Sequence, residues 1–478
     1  MKLLFFDPYH LESWRNVTFE AHQPVKDESP VLVPEHPWEA WRAFPISNCV
    51  MRDDAGFRMW YETGYDERSV PGDRLNRTAY ATSADGIHWE KPALGQYDFK
   101  GSTDNNILNL GPFGVHNVSV VHDDHDGNPN RRYKMTYFAM PPRKNFSPIP
   151  PGINVAVSED GVRWKLACPM EEPAFRAWRD VVPGRPTSSD THSLVGWIPE
   201  RQRYVIMARN VSLVPYMFRT IGYSESADFM HWSEPINVLS PDEHDPWGTE
   251  FYYMTVCRYE DLYLGHLCVF HNYSRRLTAG RPDTAQVPPE LAYMNQRLDM
   301  KLVYSRDLQV WRYADADRGA FLPVGESGAW DSGMVFGSSI LPVDDEVWVY
   351  YGGTPMRHIV EDLQHAGSDA HHRMCGGLAR MRRDGFVSLR AGTEPGEFVS
   401  RPYELTNEAL TLNSHTWDDG EISIQVLDAE SDTPRSAVVT VRGDDVRMPV
   451  DFDLAALYGQ KVRLRVTARN ADLYAIDL

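Results

Sequence analysis

The sequence predicts an all-β protein, a five-bladed β-propeller with a C-terminal β-sandwich. Three observations lead to this prediction. A Ser-x-Asp element recurs at long, regular intervals, and short strand patterns precede each copy. After Gly396 the sequence changes to strands in which apolar and polar residues alternate.

The repeat is clearest in SADGIHW, which begins at Ser83, and in SEDGVRW, which begins at Ser158. Two further copies, SADFMHW and SRDLQVW, begin at Ser226 and Ser305, and a weaker one, RRDGFVS, begins at Arg382. The starts lie about 75, 68, 79 and 77 residues apart, enough for a four-stranded blade with its loops. We interpret the Asp as a cap for turn amides and the Trp as a ring buried between blades, so the element indicates a fold and not catalysis.

Strand patterns rich in β-branched and aromatic residues stand before each copy, for example FRMWYETG from Phe57 and EVWVYYGG from Glu346. Helical periodicity is scarce. We therefore predict that residues 1–395 form the propeller and residues 396–478 the sandwich. Strands within residues 1–40 either close the propeller or join the sandwich. Long inserts after Ser274 and Met356 are expected to wall a binding site.

Composition narrows the class of protein. The chain has 478 residues and a net charge of −19, which argues against nucleic acid or an anionic membrane surface as a partner. Its five cysteines include no close-spaced pair, so a disulfide framework or zinc site is not expected. There is no apolar run long enough to span a membrane and no secretory pattern, which predicts a cytoplasmic protein. The sequence is compatible with a homo-oligomer.

Three acidic residues stand immediately before predicted inner strands: Asp190 in SSDTHSLVGW, Glu250 in WGTEFYYM and Asp331 in GAWDSGMVFG. A carboxylate at such a position is unexpected unless it is solvated or functional. Inner strands of a propeller face a central funnel, so we expect the three acids to converge at one mouth. The alternative, that each acid merely caps a loop, stays open.

A polar funnel of this composition suits the cleavage of glycosidic bonds. The reaction needs a carboxylic acid that protonates the leaving oxygen and a carboxylate that acts as base or nucleophile, and a third acid can tune the pair. Side chains from the other units, and aromatic or basic residues that stack on sugars or hold hydroxyls, are predicted to complete the site. They are Asn48, His116, Asn117, Trp38, Trp41, Trp247, Trp330, Arg42, His192 and His358.

Motifs for other chemistries are absent, including G-x-S-x-G, H-E-x-x-H, the P-loop and G-x-G-x-x-G. The acidic turn DHDGNPN near Asp124 resembles half a calcium loop, but Pro129 replaces the loop glycine and favours a hairpin turn. A cluster of His365, His371 and His372 is interpreted as a polar loop. We expect no cofactor, although a structural calcium ion would be compatible with the sequence.

Several blocks carry a resemblance to a known group: MRDDAGFRMWYETGY, AYATSADGIHWEKPALGQYDFKGSTDNNIL, SSDTHSLVGW, GAWDSGMVFGSS and GLARMRRDGFVSL. They resemble the five-bladed propeller glycoside hydrolases of families 32, 43, 68 and 130, most closely an uncharacterised bacterial family-32-like group, over most of residues 1–400. The resemblance implies Glu250 as general acid, Asp190 as base or nucleophile and Asp331 as helper. The family-32 NDPNG motif is absent, and the acids fall on the last three units instead of the first three.

The resemblance implies a glycoside hydrolase that removes a terminal fructofuranoside, arabinofuranoside or xyloside from a small carbohydrate. We expect it to be exo-acting because the inserts close one end of the funnel. A glycoside phosphorylase of the same fold is an alternative, for which Arg42, Arg52 and His358 are candidate phosphate ligands. A non-catalytic carbohydrate-binding propeller is another. We expect the pKa of Glu250 to be raised, because crowded carboxylates cannot all ionise freely, and the likeness to family 43 favours inversion.

Overall fold

The computed structural model describes residues 1–64, 76–140, 151–169, 172–177, 187–188, 190–212, 218–274, 287–359, 362, 372–406, 409–452 and 455–478. Within these ranges the regular structure is β-sheet, apart from 3₁₀ turns at Pro8–His10, Pro129–Arg131, Pro289–Leu291 and Ala455–Leu457. None of the described helical segments is long and apolar enough to cross a membrane. The insert after Ser274 lies partly, and the insert after Met356 mostly, outside the described residues. His365 and His371 also lie outside them.

The chain opens with four short strands, β1 (Lys2–Leu4), β2 (Leu11–Arg15), β3 (Thr18–Ala21) and β4 (Val25–Lys26). An antiparallel unit follows, formed by β5 (Ala43–Phe44), β6 (Val50–Asp53), β7 (Gly56–Thr63) and β8 (Arg77–Ser83). In this unit β7 pairs with β5 and β6 on one side and with β8 on the other.

Two further meanders continue outward from their first strands. The second unit comprises β9 (Gly114–His122), β10 (Tyr133–Met140), β11 (Gly152–Ser158), β12 (Lys165–Leu166), β13 (Phe175–Ala177) and β14 (Thr187–Ser188). The third comprises β15 (His192–Ile198), β16 (Arg203–Ser212), β17 (Phe218–Ser226) and β18 (Ile236–Leu239).

The fourth and fifth units share one eight-stranded sheet. The fourth consists of β19 (Thr249–Tyr259), β20 (Leu262–His271), β21 (Leu298–Ser305) and β22 (Arg312–Tyr313), and the fifth of β23 (Met334–Val343), β24 (Glu346–Thr354) and β25 (Cys375–Arg382). The N-terminal strand β4 pairs with β25 as the outermost strand of the fifth unit. The start of the chain therefore closes this unit.

The first strands of the five units surround one axis and exchange hydrogen bonds. Ser47 Oγ donates to the carbonyl of His192 (2.6 Å), Asn48 Nδ2 donates to the carbonyl of Val256 (2.7 Å), and Ser338 Oγ donates to the carbonyl of Ser47 (2.7 Å). A strand that is covered on both faces has a nearly continuous apolar sequence. β20 is such a strand, since all ten of its residues are buried. The predicted propeller class is confirmed; that these five units complete the ring stays a prediction.

The Ser-x-Asp elements form the same turn in the first four units. Asp85 Oδ1 accepts from the amides of Ile87 and His88 at 2.9 and 2.8 Å. Equivalent bonds recur at Asp160, Asp228 and Asp307. The prediction that the Asp caps turn amides is confirmed for these four copies, whereas Asp384 of the weaker fifth copy accepts from the hydroxyl of Tyr259 at 2.6 Å.

The turns also pack against the preceding unit, since the Trp60 indole of the first unit donates to the Gly161 carbonyl of the second at 2.7 Å. Trp232 and Trp311 are buried, whereas Trp89 and Trp164 are half-buried.

The C-terminal region forms a ten-stranded sheet with β1, β2 and β3. Its strands are β26 (Val387–Ala391), β27 (Gly396–Ser400), β28 (Tyr403–Glu404), β29 (Leu410–Asp428), β30 (Val439–Val441), β31 (Asp444–Val450) and β32 (Lys461–Asp477). Register breaks interrupt the pairing of the long strands β29 and β32, and alternate apolar side chains of both fill a separate core. The N-terminal strands thus follow both alternatives: β4 joins the fifth unit, and β1, β2 and β3 join the C-terminal sheet. The residue limits of the domains stay a prediction.

Candidate functional site

In each unit the first strand begins and the second strand ends at the same end of the axis, which we call the mouth. In the first unit β5 and β6 together count as the first strand and β7 as the second. Polar side chains from all five described units lie at these strand ends. They are Arg42, Glu62, His116, Asp190, Arg209, Arg219, Glu250, Asn272 and His358.

Glu62, near the end of β7, is a buried carboxylate surrounded by donors. It accepts from Arg42 Nη1 (2.5 Å), Asn76 Nδ2 (2.6 Å) and the amide of Asn117 (3.2 Å), and it pairs with His116 Nδ1 at 2.8 Å. Burial by itself would raise the pKa of Glu62, but Arg42 and His116 outweigh burial and lower the pKa to about 2. Glu62 is therefore an anion that orients its neighbours.

A β-bulge places His116 and Asn117 at this point. The pairing of β9 with β10 shifts so that Asn117 has no partner in the ladder, and Asn117 adopts a φ of 51°. Its side chain donates to Ser47 Oγ (2.7 Å) and accepts from the amide of His192 (2.7 Å). Asn117 therefore links the first, second and third units and is fully buried.

Glu250, at the start of β19, is buried, and the described residues place three donors around its carboxylate. Arg219 donates from Nη1 (2.7 Å) and from its backbone amide (3.3 Å), and Asn272 Nδ2 donates at 2.8 Å. The Glu250 side chain is 1% exposed and that of Arg219 is 28% exposed, so the arginine is the partner that solvent reaches.

Asp190 forms an ion pair with Arg209, and its side chain is 42% exposed. The guanidinium carbons of Arg209 and Arg219 lie over the ring of Tyr252, 4.6 and 5.4 Å from its centroid. Burial lowers the pKa of Arg209 to about 10, a value at which the guanidinium stays charged at neutral pH. Tyr252 thus connects the Asp190 and Glu250 ion pairs into one cluster.

His358 joins the same cluster, since its Nε2 lies 3.1 Å from the hydroxyl of Tyr252. Burial, reinforced by Arg219 and Arg209, lowers the pKa of His358 to about 4. The ring is therefore neutral near neutral pH and serves as a hydrogen-bonding group.

Asp331 lies at the same end of the fifth unit but in a different set of contacts. Its carboxylate pairs with Lys26 Nζ of the outer strand β4 at 2.6 Å and accepts from the hydroxyl of Tyr351 at 3.2 Å. Burial lowers the pKa of Lys26 against the opposing effect of Asp331. Asp190 and Glu250 share a cluster around Tyr252, whereas Asp331 contacts Lys26 of β4 and Tyr351 of β24.

The remaining predicted residues occupy varied positions. Asn48 uses its amide on the Leu194 and Val256 carbonyls inside the axis, and His192 is fully buried, which lowers its pKa to about 3. Arg52 pairs loosely with Asp344 (3.7 Å), at the opposite end of the strands.

The predicted tryptophans are likewise scattered. Trp38 stacks on His36 and donates to Asn106, and Trp330 stacks on Tyr351. Trp41 lies under Arg42, whose guanidinium carbon is 5.0 Å from the ring centroid, and Trp247 is 58% exposed.

Sequence reasoning missed Glu62, Arg209, Arg219, Tyr252 and Asn272. The three predicted acids stand before or at the start of inner strands, whereas Glu62 and Asn272 stand next to the ends of second strands and Arg209 lies three residues before the end of β16. An acid closing the apolar run FRMWYET carries the same signal as Asp190 and could have identified Glu62.

One group of possible metal ligands occurs among the described residues, the exposed set Asp242, Glu243 and His244. Arg318 already pairs with Asp242 at 2.7 Å. In the acidic turn after β9, a lysine likewise neutralises a carboxylate that could bind a metal: Lys134 Nζ donates to Asp126 at 2.8 Å. Neither set is assigned a metal.

The fold and the arrangement of its sheets are those of a β-propeller similar to the propeller glycoside hydrolases. A solved structure described as "Glycoside hydrolase" aligns with a TM-score of 0.51 at 13% identity, covering 76% of this protein and 93% of that one. A second solved structure, a BT0996 RGII complex, aligns with a TM-score of 0.50 at 12% identity and the same two coverages, 76% and 93%. At these identities the likeness shows the fold alone, and at that level the resemblance found in the sequence is confirmed.

Sequence comparisons add little. No protein-family model matches the chain. Uncharacterized protein Rv1502 of Mycobacterium tuberculosis (strain ATCC 25618 / H37Rv) is 26% identical over 141 residues, which make up 27% of this chain and 40% of that protein. The chain therefore matches less than half the length of this relative.

Proposed function

We propose that the protein is a carbohydrate-active enzyme that cleaves the glycosidic bond of a terminal sugar, with Asp190 and Glu250 as its carboxylate pair. The observation that carries the proposal is the cluster around Tyr252. Two carboxylates from neighbouring units lie at the mouth, each held by an arginine that contacts the same aromatic ring. Glycoside cleavage requires two carboxyl groups fixed on either side of one bond.

The two carboxyls differ in environment, which favours different roles. Asp190 is open to solvent and is proposed as base or nucleophile. Glu250 is proposed as the general acid: its burial favours the protonated form, whereas the charge of Arg219 opposes it. His358, whose ring is neutral near neutral pH, is proposed to exchange hydrogen bonds with the sugar, and Tyr252 to hold the two arginines in place. The substrate is proposed to be a small furanoside or xyloside, and no cofactor enters the proposal.

A second candidate is phosphorolysis, because Arg209 and Arg219 lie beside the carboxylates. Guanidinium groups bind phosphate oxygens in pairs, and a phosphate that replaced water as nucleophile would need such ligands. His358 lies next to both arginines, whereas Arg52 lies too far along the strand to contribute.

Hydrolysis is tested with a panel of nitrophenyl furanosides and xylosides. Wild-type protein should release nitrophenol from at least one of them, and Asp190→Asn should lower kcat by at least about 10²-fold. Glu250→Gln should lose most activity on substrates with poor leaving groups, because good leaving groups need little protonation. Glu225→Gln, which removes a carboxyl at the far end of the third unit, is the matched control.

The two reactions are separated by assaying disaccharides with and without inorganic phosphate. Release of a sugar 1-phosphate that depends on phosphate would select phosphorolysis, and turnover independent of phosphate would select hydrolysis. Full activity of Asp190→Asn and Glu250→Gln on a natural disaccharide would refute the assignment of the pair.

A further inference from the structure

The second polar group of the mouth, Glu62 with His116, has no role in the carboxylate mechanism above. Both oxygens of Glu62 lie within bonding distance of His116 Nδ1, at 3.0 and 2.8 Å. Glu62 is 1% exposed, and Arg42 helps to hold it as an anion with a pKa of about 2. The imidazole is therefore oriented by a permanently charged partner.

This contact decides which ring nitrogen carries the proton. An ionised carboxylate only accepts hydrogen bonds, so Nδ1 must be the donor. In the neutral ring Nε2 is then left with a lone pair and can only accept. Arg42 and Asn76 hold the other side of Glu62, which prevents the carboxylate from turning away.

The ring lies at the mouth and is reached by solvent. The His116 side chain is 17% exposed, against 2% for the Glu62 side chain. The bulge at Asn117 is locked to Ser47 and His192, so the strand that carries His116 has a fixed position. In its neutral form the ring is therefore an acceptor with a fixed position at the mouth, where we propose that the sugar enters.

We propose that His116 Nε2 accepts a hydrogen bond from the sugar hydroxyl next to the anomeric carbon, with Glu62 as its positioning residue. The inference rests on the proposed function and deepens it by naming a specificity contact. Positive charge develops on the sugar ring in the transition state, and bonds to this hydroxyl strengthen there. The contact therefore contributes more to kcat/KM than to ground-state binding.

The chain contains a matched reference for the ring. His88 Nδ1 also bonds a carboxylate, Asp85 Oδ2, at 2.7 Å, but its side chain is 87% exposed in a turn of the first unit. The two histidines thus share the same local chemistry and differ in position. Only His116 should respond to a sugar.

A first experiment uses labelling and needs no turnover. Diethyl pyrocarbonate modifies unprotonated imidazole nitrogens, and peptide mass spectrometry reports His116 and His88 separately. We expect both to react and D-fructose, L-arabinose or D-xylose to protect His116 alone, at least about threefold at saturation. An unreactive His116, or one labelled equally with and without each of the three sugars, would overturn the proposal.

A second experiment compares the best nitrophenyl glycoside with its analogue lacking the hydroxyl next to the anomeric carbon. The wild type should lose roughly 10²-fold in kcat/KM on the deoxy substrate. His116→Asn can keep a donor to Glu62 where Nδ1 lay, but its shorter side chain has no atom at the position of Nε2. It should therefore lose a similar factor on the parent glycoside and little more on the deoxy analogue. Equal discrimination by wild type and His116→Asn would overturn the proposal.

Glu62→Gln tests the positioning role. It should reduce discrimination between parent and deoxy substrates, an effect that a general loss of stability would not produce. If Glu62→Gln discriminates as wild type does, the positioning role is overturned. If wild type cleaves no glycoside while a sugar protects His116, the proposed catalysis fails and the binding role of His116 stands.

Discussion

Removing the Glu62 charge should change how the stability of the protein depends on pH. The pKa of this carboxyl falls from 4.5 to about 2 on folding, because Arg42 and His116 outweigh the effect of burial. A carboxyl with a depressed folded pKa stabilises the fold above its unfolded pKa, and the stabilisation is lost as the pH falls toward the folded pKa. The relevant window therefore lies between about pH 5 and pH 2.

The magnitude follows from the two pKa values. The depression corresponds to about 3 kcal/mol of folding free energy at pH 6 and to about 1.5 kcal/mol at pH 3. Because the side chain is fully buried, screening by solvent does not reduce this contribution greatly. Glu62→Gln lacks the titrating group, so the free-energy gap between wild type and variant should shrink on acidification.

Urea unfolding, followed by tryptophan fluorescence at pH 6 and at pH 3, measures this gap. We expect it to be at least about 3 kcal/mol at pH 6 and to be smaller by about 1.5 to 2 kcal/mol at pH 3. Glu225→Gln, outside the mouth, controls for the loss of a carboxyl as such. A gap of the same size at both values of pH, or no gap at pH 6, would refute the description of Glu62 as an anion held by Arg42.

Three further predictions concern other contacts. Asp331→Leu should destabilise the protein by about 3 to 5 kcal/mol, because Lys26 loses the partner of its charge. The double variant Lys26→Met with Asp331→Leu should recover both stability and activity. A double variant that is stable but inactive would instead show that Asp331 is catalytic. His192→Asn should lessen the loss of stability between pH 6.5 and pH 3 in urea unfolding, since burial holds the pKa of His192 at about 3 and the unfolded ring protonates first. Asp228→Ala should lower the free energy of unfolding by about 1 kcal/mol through the lost turn bonds, and an unchanged urea midpoint would contradict this.

The repeat, the strands and the turns could be predicted from the sequence because their causes are local. The Asp of a Ser-x-Asp element accepts from the amides two and three residues after it, so about six consecutive residues determine the geometry of the turn. Strand composition likewise reflects burial on both faces. The pairing of β4 with β25 could not be predicted, because a two-residue strand leaves no pattern and its partner lies more than 340 residues away.

The site was only partly predictable for a similar reason. Asp190 and Glu250 could be selected as candidates because an acid before an apolar strand is unusual, and the arginines that pair with them both contact the ring of Tyr252. Their partners Arg209 and Arg219 lie at the ends of other strands, where a basic residue is ordinary. Asp331 has the same sequence signal as Asp190 but pairs with Lys26, a residue that no local pattern connects to it.

Stability and the proposed function depend on the same hydrogen bonds at the mouth. The bulge at Asn117 is held by Ser47 and His192 of neighbouring units, and a second bulge in β19 leaves Tyr252 unpaired in the ladder. Bulges turn side chains away from the regular alternation of a strand. Asn117 therefore both ties three units together and fixes the strand position of His116, while Tyr252 brings its ring to two arginines. A substitution such as Asn117→Ala would loosen the axis and displace the acceptor at once, so its effects on stability and on sugar discrimination should appear together.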